Sequence, residues 1–180
     1  SVNTLNKERE RITAMLKDVG YYKFQKEYIT FVADTAHHST AINLAMKVAG
    51  FKETVQSTPS PHKQYRFGDI YFISDLGLRL DDALLSSCDT LRMENYSLLY
   101  KDNLFMRPEV LANQTYMLPG ELYSQSRADR TYNSFSQLSA LRYTTLRMRE
   151  NKEDNSLLDC YIMFERRKRR SVSFEVGGTN

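Results

Sequence analysis

The sequence has no tryptophan, only four prolines and only two cysteines. With twelve Tyr, nine Phe and seven Met, so little proline describes a packed chain and not a disordered one. Cys88 and Cys160 match neither a CxxC nor a metal-ligand spacing, so their connectivity is not legible from position. Cys160 alternates with Leu158, Ile162 and Phe164, which makes a buried free thiol the expected state over a disulfide. No apolar run approaches the roughly 20 residues that span a bilayer, and the N-terminus lacks the regions of a signal peptide. A complete secreted precursor is thereby excluded, and a processed or recombinant piece is not. At 180 residues, 41% hydrophobic and 26% charged, the chain has room for one or two domains.

Groups that carry chemistry are equally sparse. The three histidines, His37, His38 and His62, lie in turn or linker contexts, and none is spaced to activate a Ser or Cys. His37 and His38 supply at most two of the four ligands of a tetrahedral metal site. The acidic neighbours Asp81 and Asp82, and Glu153 and Asp154, sit in polar loops where raised pKa values are not expected. GELYSQS, from Gly120 to Ser126, lacks the spacing and the lysine of a phosphate-binding loop; LPGELYS reads as a turn before a helix, with a partner contact by Tyr123 as the alternative. An enzyme, a cofactor and a metal are therefore not expected. Net charge is +3 and the sequence pI about 8.8, but much of the excess is the run Arg166, Arg167, Lys168, Arg169 and Arg170. A basic run without RNP-type signatures does not support nucleic acid, so a solvated turn is the plainer reading.

What is present is periodicity. Leu5, Ile12, Met15, Leu16 and Val19 share one face of a helix over 5–19, which Gly20 stops. YITFVADT follows as a strand with Ile29, Phe31 and Ala33 on one face; after a polar turn through His37, His38 and Ser39, AINLAMKV places Ile42, Leu44, Met46 and Val48 together. Residues 51–64 hold the close pair Pro59 and Pro61 and read as a linker. YRFGDIYFI is a strand with a bulge at Gly68, and 74–101 is an excursion without sustained period that regains strand character at SLLY. A short helix begins at Pro108. A second helix over 128–142, started near Ser126 or Asp129, buries Tyr132, Phe135, Leu138 and Leu141; the strands TTLRMRE and LLDCYIMFE then flank a polar turn.

Helix, strand, turn and strand thus occur twice, an internal repeat. The second copy has a strand and a short helix in front, β-α-α-β-β, whereas the first starts at its last helix, which implies a leading strand and helix before residue 1.

Four stretches carry a family resemblance: GYYKF at Gly20–Phe24 with YITFVADT, HKQYRFGDIYF at His62–Phe72, LPGELYS with TYNSFSQLSALR, and LDCYIMFERRKRRSVSFEVGGTN. The chain resembles tandem POTRA domains of BamA- and TamA-like outer-membrane assembly proteins, nearest to the Bacteroidetes surface-antigen type. The fold this implies is α+β, with tandem β-α-α-β-β units and small mixed sheets with helices packed on one face. Residues 1–52 would be the C-terminal part of a first unit, 53–64 a linker, 65–170 a second unit with an insertion near 74–101, and 171–180 the start of a transmembrane barrel.

The resemblance implies a place at the periplasmic face of a Gram-negative outer membrane and a role in protein transport. Unfolded outer-membrane proteins, or accessory periplasmic proteins and lipoproteins, would bind by strand addition at open sheet edges. The edge residues implied are Ile29, Phe31 and Ala33 in the first unit and Thr145, Arg147 and Arg149 in the second. The basic run would form a turn able to meet anionic lipid. A structural adaptor that docks one fixed partner, without handling clients, is the competing expectation.

Overall fold

The alternating segments YITFVADT and AINLAMKV form an antiparallel ribbon, β1 (Ile29–Asp34) and β2 (Asn43–Val48), in a computed structural model that describes residues 2–34 and 43–167. Cross-strand pairs Ile29 with Val48, Phe31 with Met46 and Ala33 with Leu44 put the apolar residues on one face. Helix α1 (Val2–Asp18) precedes the ribbon. Its sequence stripe is not buried: no α1 residue is, and Met15 and Val19 are 52% and 44% exposed. On β2, Leu44, Met46 and Val48 are each 50% exposed. Ile42 and the turn through His37, His38 and Ser39 lie outside the described residues.

The larger sheet has the order β4-β5-β3-β7-β6, built from β3 (Arg66–Ser74), β4 (Asp89–Arg92), β5 (Ser97–Tyr100), β6 (Leu141–Glu150) and β7 (Leu157–Arg166). β3 runs parallel to β5 and β7, while β4 with β5 and β6 with β7 are antiparallel, so the chain is α+β with a small mixed sheet. β7 is an interior strand between β3 and β6, and every residue from Leu158 to Phe164 is buried. Its alternation therefore separates two buried faces and not core from solvent.

On one face Phe67, Phe72, Ile162 and Phe164 pack with Leu111 of α3 (Pro108–Asn113) and Phe135 of α4 (Gln125–Ser136). On the other, Ile73, Leu99, Tyr161 and Met163 are covered by Leu76, Leu78, Leu80 and Leu85. The excursion 74–101, without period in the sequence, thus supplies the short helix α2 (Asp82–Ser86), strands β4 and β5, and a lid on the second face. Leucines at irregular spacing cover a sheet without forming a periodic element, which is why no pattern announced them.

Two glycines are required by their surroundings. Gly20 ends α1 with φ +100°, and a Cβ there would lie 3.2 Å from both Leu122 Cδ2 and the Tyr65 carbonyl oxygen. Gly68 sits in a bulge, where the pairing of β3 with β7 shifts register between Phe67 and Ile70. A Cβ on Gly68 would stand 2.3 Å from Asp159 Oδ1, the atom that accepts from the Asp69 N–H at 3.0 Å. Burial pushes the Asp159 carboxyl up, against the N–H of Asp69 and the Asn151 amide, which pull it down. The substitution Gly68→Ala is expected to destabilise by about 1–3 kcal/mol through overpacking, measurable as a lower urea midpoint at unchanged m-value.

Several expectations are corrected. The second helix does not reach Arg142: α4 ends at Ser136, the Leu141 N–H closes a turn on the Leu138 carbonyl, and pairing with β7 recruits Leu141 and Tyr143 into β6. Its N-cap is Ser124, whose Oγ accepts from the Arg127 N–H, and not Ser126 or Asp129. Its buried residues are Ala128, Thr131 and Phe135, while Tyr132 is 42% exposed. Tyr123 is buried, 1% exposed, and is not an exposed contact. The buried free thiol expected at Cys160 is, by contrast, what is found: both cysteines are free, and burial pushes the Cys160 thiol up.

Candidate functional site

The segment after α1 does not lead away from the larger sheet; it docks on it. The Gly20 carbonyl accepts from the Tyr65 N–H at 2.8 Å, and the Gln64 side chain donates to the Val19 carbonyl at 2.8 Å. Tyr22 packs edge-on to Tyr65 and Tyr123, with ring centroids 5.8 and 5.0 Å apart. Lys23 pairs with Glu150 at 2.5 Å, and the Tyr65 hydroxyl donates to the same carboxylate oxygen at 2.9 Å. The Lys23 bond holds the Glu150 carboxyl below its ordinary range. The proline-containing segment is also held: Phe51 and Ser60 exchange backbone hydrogen bonds, and His62 packs tilted or edge-on against Phe24, Tyr28 and Phe51 while bonding the Ala49 carbonyl at 2.8 Å.

At this joint Asp18 of α1 meets the first turn of α4. Its Oδ1 accepts from the Ser126 N–H at 2.8 Å and the Ser124 hydroxyl at 3.1 Å, an anion at a helix N-terminus. Burial opposes the charge, but the bonds from Ser126 and Ser124 prevail, and the carboxyl lies below its ordinary value. A carboxyl depressed in the folded state stabilises above its unfolded pKa and loses that contribution as pH falls through its folded value. The variant Asp18→Ala is therefore expected to cost about 1 kcal/mol at pH 7, and the gap to the parent in thermal melts should narrow towards pH 3.

Among the described residues β6 is an edge strand, paired with β7 on one side only. Its 10 residues exceed the 4 of β4 at the opposite edge. At about 3.4 Å per residue, β6 presents a row of unpaired main-chain groups long enough for a whole additional strand. Between β6 and α4 runs an open groove of about 590 Å³, lined by Tyr22, Tyr123, Tyr132, Leu146, Arg147 and Met148 among others.

Of the edge residues singled out from the sequence, Thr145, Arg147 and Arg149 share one face of β6. Arg147 is exposed and, among the described residues, its side chain makes no hydrogen bond or ion pair; Arg149 pairs with Asp82 at 2.5 Å. Thr145 and Arg147 line the groove and Arg149 does not. Ile29, Phe31 and Ala33 lie together on β1, far in sequence from that groove, with Ile29 buried, Phe31 half-buried under the Arg9 guanidinium at 5.8 Å, and Ala33 exposed. Arg166 ends β7 and pairs with Asp75 at 2.8 Å, and the Arg167 N–H donates to the Ala140 carbonyl. Lys168, Arg169 and Arg170 lie outside the described residues. The groove residues Tyr22 and Tyr132 were not singled out as site residues, because nothing local ties the chain after α1 to the far face of α4.

The acidic neighbours serve structure. Asp81 caps α2 by accepting from the Ala83 N–H at 2.9 Å; Arg149 holds the Asp82 carboxyl down and Ser156 does so for Asp154. Among the described residues no group of three or more His, Cys, Asp or Glu could hold a metal ion, and no helix is long and apolar enough to cross a membrane.

No family model matches the chain, and no curated protein does. Among solved structures it is similar to the N-terminal domain of Omp85 from the thermophilic cyanobacterium Thermosynechococcus elongatus, at TM-score 0.45 and 10% identity over 94% of this chain. The match covers 55% of that chain, so this protein spans about half its length. It is also similar to BamA POTRA3-5 from Haemophilus influenzae, at TM-score 0.33 and 12% identity, over 89% of this chain and 79% of that one. Scores this low carry no functional argument.

Proposed function

We propose that this chain is the periplasmic POTRA region of an outer-membrane β-barrel assembly or translocation protein, and that it binds unfolded outer-membrane proteins or accessory periplasmic proteins by strand addition. The observation that carries the reading is β6: a long strand, open along one side, bordered by a groove with aromatic walls. An extended segment adding there gains affinity from main-chain hydrogen bonds and needs little sequence identity, which suits a module that meets many unfolded clients. The site binds and does not catalyse.

The unit order supports the POTRA assignment. With the insertion set aside, β3, α3, α4, β6 and β7 follow as β-α-α-β-β, the first and last strands parallel neighbours and the middle one at the edge. On this reading residues 65–170 are one unit with 74–101 inserted, and 1–52 are the C-terminal part of another, joined through 53–64. The half-exposed stripe Leu44, Met46 and Val48 supports a missing strand: its counterpart on β7, Leu158, Cys160 and Ile162, is fully buried beside β3 and the helices. Residues 171–180 would open the protein's own barrel, and the basic run from Arg166 to Arg170 would face anionic lipid at the periplasmic side of a Gram-negative outer membrane.

The test is an amide-resolved NMR titration of the whole 180-residue chain with unrelated peptides from barrel strands. Shifts that run along 141–150 with weak, peptide-tolerant affinity are expected. No shift with any peptide would sink strand addition and leave an adaptor for one folded partner.

A further inference from the structure

The groove beside β6 is built by both halves of the chain. Tyr22 comes from the segment after α1, Tyr123 from the turn just before the N-cap of α4 and Tyr132 from the body of that helix, and the floor beside them is Leu146 and Met148. Tyr22 is held from both sides, by the Gly20 carbonyl on the Tyr65 N–H and by Lys23 on Glu150, so the joint sets its position. Alternate residues of β6 project to opposite faces: Leu146 and Met148 pack on the α4 side, and Thr145 and Arg147 belong to the other. A strand added to β6 has the same alternation, and residues opposite one another share a face.

We infer that the joint is part of the client site: Tyr22 and Tyr132, standing over the buried Tyr123, receive an apolar or aromatic side chain of the incoming strand, and Arg147 pairs with an acidic residue next to it. The reading rests on strand addition at β6 and adds the chemistry of the strand. Charge complementarity selects the acidic neighbour, because Arg147 is exposed and has no ion-pair partner among the described residues. On the α4 side the one carboxylate that lines the groove among the described residues is Asp129, which accepts from the Gln125 amide at 2.8 Å. An acid placed there would meet a like charge, so the aromatic position is apolar and the acid takes the Arg147 side. The preferred clients are extended segments in which Tyr, Phe or Leu adjoins Asp or Glu.

The experiment uses three ten-residue peptides, identical except for a central Tyr-Asp, Ala-Asp or Tyr-Lys pair, titrated into the whole chain and into Tyr132→Ala, Tyr22→Ala and Arg147→Glu variants. Loss of the peptide tyrosine, or of either protein tyrosine, is expected to weaken binding about fivefold to tenfold. The Arg147→Glu change should invert the preference between the Asp and Lys peptides, by about threefold each way. Tyr132 lies on the exposed side of α4, so its variant keeps the joint intact and separates loss of the pocket from loosening of the joint. If all three peptides shift β6 amides equally in every variant, strand addition stands and the composite pocket is overturned. If no peptide shifts β6, both fall.

Discussion

Truncating Phe135 to alanine is expected to destabilise the chain by about 3–5 kcal/mol, the range for deleting a fully buried aromatic side chain. Phe135 is 0% exposed and lies between Phe72 of β3 and Phe164 of β7, with ring centroids 5.8 and 5.9 Å away. It is the residue by which α4 is fastened to the middle of the sheet, and neither neighbouring ring can collapse into the space without leaving its strand. For a chain of this length the loss corresponds to a melting temperature lower by roughly 6–20 °C, read by circular dichroism. The control is Tyr132→Ala, three positions earlier on the same helix, where the side chain is 42% exposed and the change should stay within about 0.5 kcal/mol. Similar losses for both variants would mean that α4 is rotated from the orientation described.

Methylating the backbone nitrogens of a client peptide is the second large effect. If the peptide adds to β6 as a strand, only alternate N–H groups point at the edge, and each such bond contributes about 0.5–1.5 kcal/mol. Three methyl groups on the edge-facing nitrogens should therefore weaken binding at least tenfold, since they remove the donors and hold the chains apart. The same three methyls moved by one residue should leave the affinity within about threefold. Equal loss in both registers would contradict main-chain pairing and point to recognition by side chains alone. NMR titration or calorimetry with the two peptides reads the difference directly, without altering the protein.

These effects turn on features of unequal legibility in the sequence. The stop at Gly20, the bulge at Gly68, the short helix at Pro108 and the alternation of both ribbon strands are local: each follows from a backbone conformation or a face that a few neighbouring residues dictate. The extent of α4 was not local. Leu138 and Leu141 continue the helical spacing of Phe135, and what removes Leu141 from the helix is β7, which supplies a ladder of hydrogen bonds that the helix end lacks. Tyr132 likewise fits an apolar stripe but falls beside the groove, because Thr131, with its hydroxyl bonded to the Arg127 carbonyl and the Tyr116 N–H, takes the buried position.

By itself the sequence determined the periods and the apolar faces of the strands and made a buried free thiol at Cys160 the expected state, since period and composition are properties of neighbouring residues, while the α+β class came with the family resemblance. Only the tertiary structure decided that β6 is an open edge, that β7 is buried on both faces, and that Tyr22 reaches the groove beside α4. The physical reason is the same in each case. Whether a strand keeps its hydrogen-bonding groups free, and which distant side chain stands next to it, depends on pairings between segments far apart in the chain, to which a local pattern of residues is indifferent.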